Sequence, residues 1–305
     1  FVANSNGIGL GLGIKVNVGG DDKSIVGAAG AVQVLGTITL NGGRPKPVFK
    51  GVYPTGLTIE GDIGPAKVKG ALRVYIDNPQ YGTGFNGWAQ VTVPGVAQVD
   101  AELMFGKTSF FYAYIDASVI INPGIIIAPP SPLTLNGFGG GFYFNMRMDG
   151  KPAEAINNNP VSKVNIPDPG VTKSGLKYVP QQGSWGIKAR VFFGLVDTHM
   201  MISSLEMEAG FNGGALTLVR FNGKASIINT TGMPGDPLAM VNAELEMRYT
   251  PPATFDIALD ITAKPNPVSS VIIPFRAHFD PDRWRMSLGD PYGKRMEYKY
   301  LDIDI

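Results

Sequence analysis

Residues 241–248 of this chain alternate strictly: Val241, Ala243, Leu245 and Met247 are apolar, and Asn242, Glu244, Glu246 and Arg248 between them are polar. Successive side chains on an extended strand point to opposite faces, so this spacing makes a two-faced strand, whereas a helix would scatter the apolar set around its circumference. Residues 255–262 do the same, with Phe255, Ile257, Leu259 and Ile261 against Asp256, Ala258, Asp260 and Thr262. Pro251 and Pro252 lie in the connection 250–253, and the pair predicts an antiparallel hairpin. Each strand is expected to bury its apolar face and wet its polar one, as antiparallel sheets commonly do.

An equivalent pair spans 99–105 and 110–119, joined across 106–108. There the face assigned to water carries Tyr112, Tyr114, Asp116 and Ser118. Further strands are predicted over 8–18, 31–40, 67–76, 87–93, 138–148, 187–193, 200–209, 215–228 and 284–288. No 12-residue window combines helical apolar spacing with freedom from Gly and Pro, and residues 151–157 have room for a turn or two of helix. The 40 Gly and 24 Pro among 305 residues suit many strands joined by turns. The expected fold class is all-β with antiparallel sheets.

The chain also repeats itself. Val99, Ala101, Glu102 and Leu103 recur as Val241, Ala243, Glu244 and Leu245, a shift of 142. Gly70-Ala71-Leu72 matches Gly214-Ala215-Leu216, and Phe85-Asn86-Gly87 matches Phe221-Asn222-Gly223. Phe111, Asp116, Asn122 and Pro123 match Phe255, Asp260, Asn266 and Pro267. Landmarks kept in order, with slips confined to Gly- and Pro-rich connections, predict a tandem duplication. The expected organisation is a first β repeat over 1–156 with an insertion at about 40–65. A Pro- and Asn-rich linker follows over 157–182, then a second β repeat over 183–305. Two sandwich-like halves, one continuous large sheet and a barrel all satisfy this pattern.

Composition removes several classes of function. Net charge is +1 without a basic cluster, so the footprint needed to neutralise a run of phosphates is missing and no nucleic-acid partner is expected. No cysteine is present, which removes disulfides, thiolate catalysis and zinc–sulfur sites and suits bacterial exported proteins. No apolar stretch reaches the length of a membrane-spanning helix. A start on Phe1 and a strand-like end at 301–305 lead to the expectation of a processed chain or a segment of a longer one.

Candidate chemistry is sparse. Gly7, Gly9, Gly11 and Gly13 alternate with aliphatic residues, but Leu12 breaks the G-x-G-x-x-G spacing and no helix follows, so a close-packed strand is expected there. The run 137–141 predicts a bulge or sharp bend. His199 and His278, the only histidines, lack a ligand spacing. Asp100 with Glu102, Glu206 with Glu208, and Glu244 with Glu246 each put two carboxylates on one strand face. Glycosidases need such pairs across a cleft, but solvated sheet faces carry them too. Asp280, Asp282, Asp302 and Asp304 could ligate calcium, without an EF-hand pattern; no other cofactor is implied. Tyr112, Tyr114 and Trp284 are the candidate ligand or partner face, through aromatic stacking.

Three functions fit. The first is a non-enzymatic structural or interaction module, extracellular or at the cell surface. It would work by assembly with other protein subunits or neighbouring domains through sheet faces and edges. The second is a glycan-binding module or glycosidase on a β-sandwich. The third is an outer-membrane β-barrel, favoured by alternating strands, glycine and aromatic content. Against it, and for a non-membrane chain, stand the prolines, acids beside small alanines, and a last strand without a terminal aromatic.

Overall fold

The structure is a computed structural model that describes residues 2–4, 7–18, 26–41, 44–127, 129, 132–152, 168–236, 238–266, 269–289 and 301–304. Among these the chain is all-β and contains no helix. The strands are β1 (Val2–Asn4), β2 (Gly7–Val18), β3 (Val26–Asn41), β4 (Arg44–Ile63), β5 (Ala66–Asn78), β6 (Gly82–Val93), β7 (Ala97–Lys107), β8 (Phe111–Ile126) and β9 (Leu133–Pro152). After the long connection come β10 (Leu176–Leu195), β11 (Met201–Asn212), β12 (Ala215–Ile227), β13 (Val241–Thr250), β14 (Thr254–Asn266), β15 (Ser269–Phe279), β16 (Trp284–Leu288) and β17 (Leu301–Asp304). Every pairing with a defined register is antiparallel and joins strands consecutive in the chain. Tight turns make this possible. Asn212 pairs with Ala215, leaving Gly213 and Gly214 as a two-residue turn with φ of +57° and +85°. Left-handed values at both central positions fit a hairpin turn that follows the sheet twist, and glycine adopts them without strain.

Three strands escaped the sequence reading, the three-residue β1 and two long ones. Residues 44–63, expected as an insertion, form β4, whose prolines at 45 and 47 hid it. Both pair with β3, while the register with β5 covers only Gly56–Ile63. The prolines therefore stand where one side of the strand lacks a registered partner, a position that tolerates a missing N–H. β15 was hidden by Pro274. Its registered ladder with β16 begins only at Phe275, so the proline again sits just outside a two-sided ladder. Of the expected linker, residues 157–167 lie outside the described residues. The rest, 168–182, is packed: Val171, Thr172, Tyr178 and Val179 are buried, and β10 has begun by Leu176. Of the expected helical turn at 151–157, Lys151 and Pro152 belong to β9 and the remainder lies outside the described residues.

The repeated landmarks divide. Val99 to Leu103 and Phe111 to Pro123 fall on β7 and β8, and their counterparts fall on β13, β14 and the residue after it. Gly70-Ala71-Leu72 and Phe85-Asn86-Gly87, by contrast, lie on two paired strands, whereas their counterparts lie in and just before one strand, β12.

The chain divides into two compact units. The first holds residues 1–94, 98–115 and 145–182; the second holds 95–97, 116–144 and 183–305. In the first, Tyr75, Tyr81, Tyr112, Tyr114, Tyr178, Met104, Met146 and Met148 form the core. In the second, the most buried side chains include Lys188, Glu206, Glu208, Arg220 and Asp116.

On two strands the expected facing is reversed. On β8, Phe111 and Ile115 are 69% and 49% exposed, whereas Tyr112 and Tyr114 are 2% and 1% exposed. On β11, Leu205 and Met207 are 36% and 38% exposed, while Glu206 and Glu208 are 8% and 0%. Alternation was legible, but on these strands the polar face is the covered one, whereas further along the sheet Glu244 and Asp260 keep side chains 58% and 41% exposed. The physical reason is that the buried acids meet cations and tyrosines from adjacent strands, which replace water around them.

Candidate functional site

Residues directly opposite in an antiparallel pair share a face, so the registers can be followed strand to strand. In the second unit one row reads Val191, Leu205, Gly223, Leu245, Leu259, Phe275, Leu288, from β10 to β16. The next row on the same face reads Ala189, Met207, Phe221, Met247, Ile257, Ala277, Met286. A third reads Ile187, Ala209, Val219, Tyr249, Phe255, Phe279, Trp284. Not one residue in the three rows is charged. Trp185 and Phe211 extend the aromatic end of this face, stacked with ring centroids 4.3 Å apart.

The rows between them are of opposite character. Lys188, Glu208, Arg220, Arg248, Asp256, His278 and Arg285 follow one another across the same seven strands, and every member is ionisable. The adjoining row contains Arg190, Glu206, Asn222, Glu246 and, beyond Ala258, Arg276. Lys188 Nζ lies 2.7 Å from Asp116 Oδ2 and 3.5 Å from Glu206 Oε2. Arg190 reaches Asp116 Oδ1 at 3.3 Å and also pairs with Glu206. Arg220 Nε donates to Glu246 at 2.9 Å, and its Nη1 stands 3.7 Å from Glu208 and 3.8 Å from Glu206. Lys224 with Glu244 and Arg276 with Asp260 continue the alternation of sign. The last two pairs stand in water, but charges as buried as Lys188, Asp116, Glu206 and Arg220 are tolerated only when paired and hydrogen-bonded.

Glycines make room for this network. A side chain at Gly186 would collide with the Tyr143 ring and one at Gly210 with its hydroxyl, so Tyr143 crosses β10 and β11 where both strands are bare. It thereby reaches Glu208 with a hydrogen bond. Residues 137–141, expected as a bulge or bend, lie within β9. A Cβ at Gly139 would strike Ser118 and the backbone of β8, and one at Gly140 would crowd the Lys188 carbonyl of β10.

In the first unit the rows Ile14, Gly30, Leu57, Leu72, Gly87 and Val16, Ala28, Ile59, Gly70, Ala89 are likewise uncharged. Leu57 and Ile59 are exposed. The opposite face carries a tyrosine cluster. The hydroxyls of Tyr75 and Tyr112 are 2.8 Å apart, and Tyr112 donates to the Tyr81 carbonyl at 2.8 Å.

Of the residues expected to form a ligand face, Tyr112 and Tyr114 belong to this buried cluster, with Tyr114 against Tyr178 at 4.7 Å between centroids. Their ring faces are not open to a sugar. Trp284 is half-buried on the apolar face of the second unit, opposite Phe279. The expected acid pairs are all met by donors. Asp100 accepts from Gln90, Gln98 and Lys173, and Glu102 accepts from the Lys173 backbone. His199 contacts Asp197, while His278 lies between Asp256 at 2.6 Å and Asp280 at 3.0 Å. Asp280 also accepts from the backbones of Asp282 and Arg283, and among the described residues no group of three His, Cys, Asp or Glu could hold a metal ion. The side chains of Asp302 and Asp304 lie outside the described set.

Comparison with family models, with curated proteins and with solved structures finds no match to this chain.

Proposed function

We propose that this chain is a non-enzymatic membrane protein of the outer-membrane β-barrel class, held by strands whose apolar face meets lipid. The observation that carries the reading is the set of uncharged rows across β10 to β16, exposed or half-buried except at Ala277, lying back to back with one row of seven ionisable residues and an adjoining row that holds four more. A water-soluble sheet exposes its polar face; lipid rewards the reverse. Strand length agrees. A spanning strand needs about 9–11 residues; β10 to β15 have 20, 12, 13, 10, 13 and 11, and of these seven strands the five-residue β16 alone is shorter. The aromatic end of the apolar face, with Tyr249, Phe255, Phe279 and Trp284 in one row, has the composition of an interfacial girdle. Acids beside small alanines, which argued against this class in the sequence, stand on the polar rows and never enter the apolar ones.

The absence of cysteine makes the test clean. Single variants Leu205→Cys, Leu245→Cys, Ser204→Cys and Glu244→Cys are labelled with bimane and the full chain is refolded with phosphatidylcholine vesicles. Labels at 205 and 245 are expected to emit in the blue and to be quenched by brominated acyl chains; those at 204 and 244 are not. A monodisperse chain in detergent-free buffer, with water-like emission at 205, would overturn the lipid reading and return the apolar face to protein assembly.

A further inference from the structure

In the first unit the chain turns back before β10, and residues 168–175 lie as a strap on the polar face of β5, β6 and β7. Arg73 holds one end by pairing with Asp168 at 3.0 Å, and Asn86 donates to the Asp168 carbonyl at 3.2 Å. Gly170, at φ +79°, passes so close to the Tyr81 ring that any Cβ would enter it. Thr172 and Leu176 close the turn through three hydrogen bonds, each with a backbone group as donor or acceptor.

The strap presents Lys173 to three side chains on neighbouring strands. Its Nζ stands 2.6 Å from Asp100 Oδ1 and 4.7 Å from the centroid of the Trp88 ring, and its backbone N–H donates to Glu102 Oε2 at 3.0 Å. Gln90 and Gln98 donate to Asp100 at 2.8 and 2.6 Å and so hold the carboxylate in place. An aromatic face attracts a cation through its quadrupole, and a fixed carboxylate adds a charge-assisted hydrogen bond. A primary ammonium, with three donors on one nitrogen, can face the ring and bond the carboxylate at once, as Lys173 does.

We propose that Trp88 and Asp100 form a binding site for small primary alkylammonium ions, and that the Lys173 side chain fills it as an internal ligand. A soluble amine entering the site displaces the Lys173 side chain, while the strap backbone stays bonded to Glu102 on β7. The site lies wholly within the first unit and requires nothing of the lipid reading, so either can fail without the other.

The arrangement predicts self-competition. An internal ligand that holds its site nine-tenths of the time weakens an external one about tenfold. Titration calorimetry of the refolded full chain with 1,5-diaminopentane, at constant ionic strength and with potassium chloride as control, reads this directly. Lys173→Ala is expected to bind the diamine at least about tenfold more tightly than the unaltered chain. Adding Asp100→Asn or Trp88→Leu to Lys173→Ala is expected to abolish that gain. Binding by Lys173→Ala no tighter than by the unaltered chain, or undiminished by Asp100→Asn, overturns the proposal. Should the Trp88 variant fail to regain its β-sheet circular dichroism, the Asp100 variant alone decides.

Discussion

The covered face of the sheet is filled by aromatic rings in the first unit and by charges in the second. Tyr75, Tyr81 and Tyr112 meet edge to ring and through hydroxyl hydrogen bonds, which combines apolar packing with satisfied polar tips. Asp116, Lys188, Arg190, Glu206 and Arg220 instead depend on mutual neutralisation. One face of one strand shows both: β8 carries Tyr112 and Tyr114, then two residues on Asp116. The difference teaches where each region is fragile. A tyrosine cluster loses one hydrogen bond at a time, whereas deleting one member of a buried ion network leaves an uncompensated charge.

The largest effect is therefore expected at Lys188→Met, which leaves Asp116 and Glu206 short of a cation. A loss of about 3–5 kcal/mol, read from denaturant midpoints of the refolded chain, accords with a broken buried pair. A cost below about 1 kcal/mol would show that this face is watered. Next comes Leu205→Arg on the opposite face. In lipid a central cation costs about 2–4 kcal/mol, whereas in water a surface substitution stays within about 0.5 kcal/mol, so refolding with and without vesicles separates the two. In the first unit, Tyr112→Phe removes a hydroxyl that serves both the Tyr75 hydroxyl and the Tyr81 carbonyl. About 1–3 kcal/mol is expected, less than at Lys188, and the reverse ranking would break the comparison.

The smallest effect belongs to a loop. Asp236, between β12 and β13, accepts from the backbones of Thr230, Thr231 and Leu238 and from the Thr230 hydroxyl. These donors outweigh the cost of burial and hold its carboxyl well below the usual range. A depressed folded pKa contributes stability above the unfolded value of about 4, and this is lost as pH falls through the acid range. Asp236→Asn is expected to remove about 1 kcal/mol of acid loss in total between pH 5 and pH 3, seen by comparing midpoints at the two values.

Much of the architecture was legible beforehand. Strict alternation located β13 and β14 and the turn at Pro251 and Pro252, and the landmarks at 99–103 and 241–245 drew attention to two hairpins. β4 and β15 were not legible, because Pro45, Pro47 and Pro274 break strand patterns unless one knows which ladder lies beside them. Asp100 and Glu102 stood out as paired acids, but Lys173 lies in the stretch read as a linker, 73 residues from Asp100 in sequence. No local spacing reveals a partner at that separation. Tyr112 and Tyr114 were singled out for their aromatic character, which is equally at home in a buried cluster.

By itself the sequence determined that this is an antiparallel β protein with two unlike faces on each strand, since side-chain direction follows from backbone extension alone. Which face is covered was decided only by tertiary structure. Alternation is symmetric: Leu205, Met207 and Glu206, Glu208 read identically whether the acids face water or cations. Only the registers that set Lys188 beside Glu208, and Glu208 beside Arg220, supply the partners that let the charged side be buried and leave the apolar side outside.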